Sequence, residues 1–487
     1  MSGDTASFIR SEGERLMKPL SRELFMNLTG KKTKSNISEI YNARREFLEP
    51  DLFTSFTESV DEEEIRGWRQ ISSFLADTFL GGNTSALADR IITLEASDEF
   101  LAAGKNTTIR SMKARIMSEP KKDRRDEIES RGVEILNRLN PLYCQKLEKL
   151  TECSGTLGFS SYANLIDNVR GIGIPGLRDE AAMFLKDTDY AAGDMLNWFF
   201  MKIMEYDLKD ASFGDVMYFL NSAGLRGYFP KINFAVFPGR VLDQMGLIPS
   251  GDIHFDTERR NGKSADAFSI PVNPPFECAV SIYPVEGIHD YESLLGVLGC
   301  CSCFIFTEPD DFFESTYLRD ETLTGIFSRL FVNLLYEPKW LKKYLAIDIN
   351  KNFLDLLFLR RLMSARLDAA RTLYAAELFG NCDPRDMPGM YSQIMGDAIK
   401  CRINVGGYLT GFLSTARSQF GFKALLAEPS LRNYLKESFD EEWWRTQAAG
   451  DFLRGIWSEG GRVTTGSLLK RCGLGEPDSR MLVRNFE

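Results

Sequence analysis

The sequence predicts a mostly α-helical protein with one small β-sheet. In residues 1–190, apolar residues recur at the three- and four-residue spacing of amphipathic helices, and helical patterns return beyond about residue 306. At about 230–285, apolar residues alternate with others, as in half-buried strands. The most apolar run, 290–306, lies between the strand-rich and the second helical segment. We therefore expect an N-terminal helical region, 1–190, and a second region, 191–487, that holds the sheet and this central helix.

Length and composition are those of an ordinary globular protein. The chain has 487 residues, of which 44% are hydrophobic and 26% charged, enough for one large domain or roughly two to four smaller ones. Its formal net charge of −10 argues against nucleic acid or an anionic membrane as the main partner. The first residues, MSGDT, include no basic segment followed by an apolar core, so no signal peptide is predicted. We expect a cytoplasmic protein without a nucleic-acid or membrane partner.

The first region is predicted to be helices joined by short loops. Residues 128–150 carry apolar residues at helical spacing among Glu, Lys and Arg, and Pro120 and Pro141 mark helix starts or breaks. Residues 171–176, GIGIPG, match the G-x-G-x-x-G pattern of a dinucleotide-binding loop. However, the preceding residues 162–169 have a helical pattern, and Pro175 has no N–H to offer a phosphate. We interpret this run as a loop between helices.

Strands are predicted where apolar residues alternate. The alternating sets are Ile232, Phe234 and Val236; Phe268, Ile270 and Val272; and Cys278, Val280 and Ile282. The pair Asn261-Gly262 favours a tight hairpin turn, and we expect it to join 252–258 with 265–272. The sequence thus predicts a small sheet immediately before the central helix.

The central run, 290–306, is predicted to be a buried helix. Asp290 is suited to cap its N-terminus, and Leu294, Leu295, Leu298 and Cys301 follow at helical spacing. The run is too short to span a bilayer. Beyond it, residues 353–379 form a second long apolar segment, which predicts another buried helix.

Cysteine and histidine usage argues against a metal centre. The nine cysteines are an odd number, so complete disulfide pairing is impossible. Cys300, Cys301 and Cys303 are clustered, but no second Cys or Cys/His cluster completes four ligands. The only histidines are His254 and His289, so no H-E-x-x-H motif exists. We predict no metal and no cofactor, and buried free thiols; whether the clustered cysteines are reactive or merely buried stays open.

Four residues of the central helix keep the frame of a known metal-binding motif: Asp290, Leu294, Leu295 and Gly299. In this frame the segment resembles the zinc-binding helix of the thimet oligopeptidase and oligoendopeptidase F family, whose pattern is D-x-x-x-L-L-H-E-x-G-H. In that family, two histidines one helical turn apart hold zinc, and the Glu beside the first takes a proton from the metal-bound water.

The positions that carry the chemistry in that family hold other residues here. The two histidines and the glutamate correspond to Gly296, Cys300 and Val297. The family's third ligand, in a segment similar to E-x-F-S-x-L-F-E, corresponds to Gly325, and Val332 stands at the last Glu of that segment. The resemblance therefore implies a zinc site that has lost its ligands and its proton acceptor.

The resemblance continues along the chain from about residue 150 to the end, and more loosely over the N-terminal helices. A G-F-x-S turn at 158–161, the small sheet before the central helix, and the C-terminal segment 443–483 are similar to the same family. The segment 390–396 resembles its Y-x-x-Y-x-x-G motif, in which tyrosines steady the reaction intermediate. Only Tyr391 matches, and Tyr408 lies further along.

The resemblance implies an oligopeptidase-like helical fold with a central cleft and a small sheet. Our first hypothesis is a catalytically inactive protein that binds a peptide or partner protein in this cleft, with Phe268, Ile270, Tyr391 and Tyr408 as candidate contacts. The second is an enzyme with a different, zinc-independent chemistry. The third is a divergent zinc peptidase that uses other ligands.

Overall fold

The computed structural model describes residues 2–59, 67–309, 312–380, 382–412, 417–484 and 486. Helices make up most of this described chain, and the strands form two small sheets. The predicted mostly α-helical fold is therefore confirmed. None of the described helices is long and apolar enough to cross a membrane.

The first part of the chain is a succession of helices interrupted by one hairpin. The hairpin strands are β1 (Phe100–Ala102) and β2 (Lys105–Thr107), joined by Ala103 and Gly104 with φ of 49° and 72°. Positive φ at both turn residues suits a two-residue hairpin. This hairpin was not predicted. The helices are α1 (Ser2–Leu28), α2 (Ile37–Asn42), α3 (Pro50–Ser59), α4 (Trp68–Asn83), α5 (Ser85–Ser97), α6 (Ile109–Ser118), α7 (Lys122–Thr156), α8 (Tyr162–Arg170), α9 (Ile174–Asp187) and α10 (Asp189–Met204).

The predicted loop at 171–176 lies between α8 and α9. Gly171 ends α8 in the left-handed conformation, and Gly173 precedes α9 in the same conformation, with φ of 61° and 77°. Pro175 then falls in the first turn of α9, where its missing N–H costs no helical hydrogen bond. The interpretation as an inter-helix loop is confirmed.

The second sheet places an edge strand, with one side unpaired in the described chain, beside the central helix. After the short helices α11 (Phe213–Tyr218) and α12 (Phe237–Asp243) come β3 (Asp252–Asp256), β4 (Phe268–Asn273) and β5 (Glu277–Ser281). Strand β5 lies in the middle, parallel to β3 and antiparallel to β4. Strand β4 is therefore an edge strand, and the strands predicted within 252–282 are confirmed.

Two predictions for this sheet are wrong. Asn261-Gly262 does not make a hairpin, because β3 and β4 do not pair with each other. Instead, buried Lys263 donates to both the carboxylate and the carbonyl oxygen of Asp256, which ties the loop down beside β3. The predicted strand at 232–236 is a turn, because the Asn233 side chain accepts from the Ala235 N–H and α12 begins at Phe237, with Pro238 in its first turn.

The central helix, α13, spans Ile288–Ile305 and is largely buried. It begins two residues earlier than predicted, after Gly287, whose φ is 80°. Asp290 is therefore in the first turn rather than at the N-cap. Its carboxylate accepts hydrogen bonds from the N–H groups of Val285 (2.8 Å) and Glu286 (3.1 Å), which anchors the chain entering the helix.

The remaining chain is helical and packs around α13. Its helices are α14 (Phe313–Tyr317), α15 (Glu321–Val332), α16 (Pro338–Trp340), α17 (Lys351–Leu378), α18 (Pro388–Ile399), α19 (Arg417–Ser438), α20 (Gln447–Ser458), α21 (Thr465–Arg471) and α22 (Ser479–Arg484). Helices α13 and α15 lie antiparallel in close contact. A Cβ atom at Gly299 would come within 2.3 Å of the Phe327 carbonyl oxygen, so this crossing requires glycine.

Candidate functional site

A cleft of about 1690 Å³ separates the N-terminal helices from the second half of the chain. One wall is formed by α13, α15 and the edge strand β4, and the opposite wall by α1, α4 and the start of the loop after α8. The cleft is large enough for an extended peptide of several residues. It also contains the positions that the sequence analysis assigned to the degenerate zinc site.

The three motif positions on α13 face the cleft. Gly296, Val297 and Cys300 all line it, and Val297 is only 5% exposed. A Cβ atom at Gly296 would lie 3.2 Å from the hydroxyl oxygen of Ser328 on α15. The Cys300 thiol donates to the carbonyl oxygen of Thr324, 3.8 Å away. Small, neutral groups therefore fill the space between the two helices.

The fourth position, Gly325, also lines the cleft, but its side-chain direction points elsewhere. A Cβ atom there would lie 2.8 Å from the Cβ of Ala424 on α19. The α15 residue that faces Gly296 is Ser328. Thr324, Ser328 and Val332 are spaced four apart, so the helical period places Ser328 on one face with these two residues. The motif alignment alone does not show which face of α15 meets α13.

The residues present do not fit a zinc ion. No group of three or more His, Cys, Asp or Glu side chains among the described residues is arranged to hold a metal. Of the clustered cysteines, Cys301 and Cys303 are buried. A hydrogen bond with Cys278, together with burial, raises the pKa of the Cys301 thiol, and burial raises that of Cys303. Both thiols are thus held in the protonated form, which is a poor metal ligand.

A buried ion pair lies where α13 enters the cleft. Arg360 on α17 donates from Nε to Glu292 Oε1 at 2.7 Å, and the Tyr336 hydroxyl donates to the same oxygen at 3.2 Å. Burial acts to raise the pKa of Glu292, but its pairing with Arg360 outweighs this and leaves the pKa below the ordinary 4.5. This pair joins α13 to α17 at one end of the cleft.

His289 lies beside this pair and also lines the cleft. Its Nε2 atom is buried and has no hydrogen-bond partner among the residues that the structure describes. Burial, assisted by the positive charges of Lys113 and Arg360, lowers the pKa of the imidazole to about 4. The carboxylates of Glu292 and Asp266 act to raise this pKa, but they do not offset the lowering. The imidazole is therefore neutral at pH 7 and resists protonation in the folded protein.

We expect His289 to make the protein less stable as the pH falls. Below pH 6.5 the unfolded chain binds a proton at this residue that the folded protein does not bind until about pH 4, so the free energy of unfolding decreases across that window. Between pH 7 and pH 5 the decrease should be about 2 kcal/mol. Urea unfolding at both pH values measures it, and His289→Gln should remove most of the difference. The control His254→Gln, at an exposed position on β3, should leave it unchanged.

Ionic contacts join the two walls at the other end of the cleft. Arg170, at the end of α8, pairs with Asp77 on α4 and with Glu321 at the start of α15. Its guanidinium also stacks on the Phe420 ring, 5.1 Å from the centroid. Lys423 on α19 reaches the loop after α8. These contacts were not predicted, because pairs more than 90 residues apart leave no local pattern in the sequence.

The other candidate contacts are divided between the cleft and the helical core. Phe268 lines the cleft and packs edge-on against Phe25, and its neighbours Ser269 and Pro271 also face the cleft. Ile270 pairs with Ala279 in the sheet and is not a lining residue.

Neither candidate tyrosine lines the cleft. Tyr391 packs against Tyr374 and Phe412, whereas the Tyr408 hydroxyl contacts the Cys144 thiol at 3.6 Å. The structure thus gives both tyrosines packing contacts, and does not bring them to the degenerate motif.

Comparison with solved structures identifies the fold. The structure of PZ peptidase A with inhibitor 2 matches with a TM-score of 0.64 and 14% identity, over 92% of this chain and 89% of that one. A putative oligoendopeptidase F from Bacillus anthracis matches with a TM-score of 0.65 and 12% identity, over 95% and 83% of the two chains. The chain has the oligoendopeptidase F fold. A further structure of a putative oligoendopeptidase F matches with a TM-score of 0.66 and 12% identity, over 95% and 84%.

Likeness at this level of identity establishes the oligoendopeptidase F fold and not an activity. No protein-family model and no curated protein matches the sequence. The fold does account for the arrangement described above, with a helical body, a cleft and a small sheet beside the central helix. The function of the cleft therefore depends on the residues that line it.

Proposed function

We propose that the protein binds an extended peptide, or an extended segment of a partner protein, in the cleft without hydrolysing it. The observation that carries the proposal is that the cleft has an unpaired strand edge, β4, while the motif positions on α13 hold Gly296, Val297 and Cys300. Backbone pairing with an edge strand needs no metal. Hydrolysis by the family's chemistry, in contrast, needs ligands and a proton acceptor that these residues do not supply.

Pro271 indicates which backbone groups of β4 face the cleft. Proline has no N–H, and within a sheet it is accommodated where its nitrogen points away from the neighbouring strand. Backbone N–H groups alternate in direction along a strand, so the Ser269 N–H points the same way as the Pro271 nitrogen. We infer that Ser269 offers its N–H to a ligand, whereas Ile270, opposite Ala279, pairs with β5.

We expect Ser269→Pro to weaken peptide binding at least about tenfold with little loss of stability, because it removes a ligand-facing donor and no bond within the sheet. Wild-type affinity should be micromolar, or about −8 kcal/mol, since a flexible peptide is ordered on binding. Fluorescence anisotropy with a library of labelled eight-residue peptides measures it.

Two matched variants control this experiment. Ser269→Ala keeps the backbone N–H and should bind as the wild type does. Ile270→Pro removes a bond to β5 and should lower the melting temperature. Absence of any binder for the wild type, or equal binding by the Ser269→Pro and Ser269→Ala variants, would contradict the proposal.

The second candidate function is a zinc-independent chemistry in the same cleft. The observation that favours it is Cys300, a partly exposed thiol on the cleft wall. Mass spectrometry of the bound peptides distinguishes the two functions. Intact peptides recovered after long incubation support binding alone, whereas turnover that is lost in Cys300→Ser supports a thiol chemistry. Turnover that is abolished only by chelator would support the third hypothesis, a divergent metallopeptidase.

A further inference from the structure

Arg319, at the end of the cleft where α15 begins, is a cation whose hydrogen-bond partners among the described residues are all neutral. Its Nε donates to the carbonyl oxygen of Cys303 at 3.0 Å, and one terminal nitrogen donates to those of Ser315 and Leu318, at 2.8 Å and 2.6 Å. The other terminal nitrogen donates to the Thr307 hydroxyl at 2.6 Å. No described carboxylate lies within ion-pair distance of it.

Within the described part of the chain, these contacts leave Arg319 without a counter-charge and with one N–H that donates to no acceptor. A guanidinium has five N–H groups, and the four bonds to neutral acceptors leave one N–H on the nitrogen that faces Thr307. The side chain lines the cleft, with its guanidinium 4.7 Å from the centre of the Phe304 ring. Burial lowers the pKa of Arg319 to about 10, which is the effect of enclosing a positive charge without a counter-charge.

Lys423, on α19 at the same end of the cleft, has a similar environment. Its ammonium donates to the carbonyl oxygens of Ile172 and Gly171, at 2.8 Å and 3.2 Å, and pairs with no described carboxylate. Other cations of the cleft do have acidic partners. Arg170 has two, and Arg329 pairs with Asp368 at 2.8 Å. Arg319 and Lys423 thus have no described acidic partner. The carboxylate of Asp320, which also lines the cleft, is taken up by the backbone N–H groups of Leu323 and Thr465.

We propose that this end of the cleft binds the C-terminal carboxylate of the peptide. The inference rests on the proposed function and adds the chemical class and the direction of the ligand. A carboxylate would supply the missing counter-charge and accept the remaining guanidinium N–H in a charge-assisted bond. These cations would therefore favour the C-terminus of a peptide, which carries a carboxylate, over the middle of a chain, whose backbone is uncharged.

The length of α13 sets the size of such a ligand. His289 lies near the β4 end of the cleft and Cys303 near Arg319, and the intervening helix is about 21 Å long at 1.5 Å per residue. An extended peptide covers this distance with roughly six residues. We therefore expect peptides of about six residues or more to reach from β4 to Arg319, and shorter ones to lose one of the two contacts.

The test compares one eight-residue peptide as its free acid and as its C-terminal amide, by anisotropy with an N-terminal label. We expect the amide to bind wild-type protein about tenfold more weakly. Arg319→Met and Lys423→Met should each reduce this difference, because each removes one of the two cations. Arg329→Met is the matched control: it removes a cleft cation that has its own acidic partner, and the acid-to-amide ratio should stay as in the wild type.

The outcomes separate this inference from the function on which it rests. If neither form binds, the proposed function fails. If both forms bind equally, the function stands and the carboxylate site is refuted. A Glu→Gln change within the peptide tests the other source of a carboxylate; an effect there, without an effect of amidation, also refutes a C-terminal site. If Arg319→Met does not fold, Lys423→Met and the wild-type comparison decide the question.

Discussion

Restoring the metal motif is expected to destabilise the protein by several kcal/mol and to produce no peptidase. The variant carries Gly296→His, Val297→Glu, Cys300→His and Gly325→Glu. Val297 is 5% exposed, so a carboxylate there loses most of its hydration. Gly325 lies against Ala424, so any side chain there overpacks the contact with α19, at a cost of about 1–3 kcal/mol. Urea unfolding in the presence of chelator measures the loss.

The geometry supplies a control for this variant. A second version of the variant carries Ser328→Glu in place of Gly325→Glu. Its third carboxylate lies opposite position 296 and avoids the contact with Ala424, so this version should be the more stable of the two. Elemental analysis of both, and of the wild type, reports whether zinc is retained. A Gly325→Glu version that melts at the wild-type temperature in chelator would show that the site is open and polar, against our description.

The second large effect is expected at the Glu292–Arg360 pair. Glu292→Ala leaves the Arg360 guanidinium, whose side chain is 10% exposed, without its carboxylate. Removing one partner of a fully buried ion pair lowers the free energy of unfolding by about 3–5 kcal/mol. Because the Glu292 side chain is 20% exposed, we expect a loss of about 2–4 kcal/mol here. Because the pKa of Glu292 is depressed, its contribution is complete above pH 4.5 and is lost as the pH falls below that value.

Replacing both partners tests whether the effect comes from the unpaired charge. The double variant Glu292→Met with Arg360→Met should recover most of the stability that Glu292→Ala loses, since no buried charge remains. Denaturant unfolding of the two single variants and the double variant gives the coupling energy. A loss below about 1 kcal/mol in Glu292→Ala would mean that Arg360 finds compensation elsewhere, and would contradict the pair as the link between α13 and α17.

The sequence was sufficient to predict the fold because its local patterns are strong. The apolar run after Asp290, the alternation around Ile270, and the motif frame that ends at Gly299 each specify an element or a family likeness without long-range information. Gly299 is informative for a physical reason. It permits the backbone approach of α13 to Phe327, so this part of the frame serves packing and does not depend on the presence of zinc.

The sequence was insufficient wherever the outcome depends on partners that are distant in the chain. Asn261-Gly262 favours a hairpin locally, but the buried Lys263–Asp256 contact and the central position of β5 override that preference. Ser328 could not be assigned to the site from the motif, because the rotation of α15 is set by its packing against α13 and α19. The neutral surroundings of Arg319 in the described chain likewise become visible only when its neighbours are known.

Pro271 has a further consequence for how the protein behaves at high concentration. An exposed edge strand is a template for pairing with the same strand of another copy, which is a common route to aggregation. Proline interrupts the row of donors on β4, so a second copy cannot complete a continuous ladder along it. Phe268, Ser269 and Pro271 also line the cleft, so a second copy would have to enter the cleft to pair with this edge. One imino acid thus discourages self-association through this edge, while it leaves in place the Ser269 N–H that we propose for ligand binding.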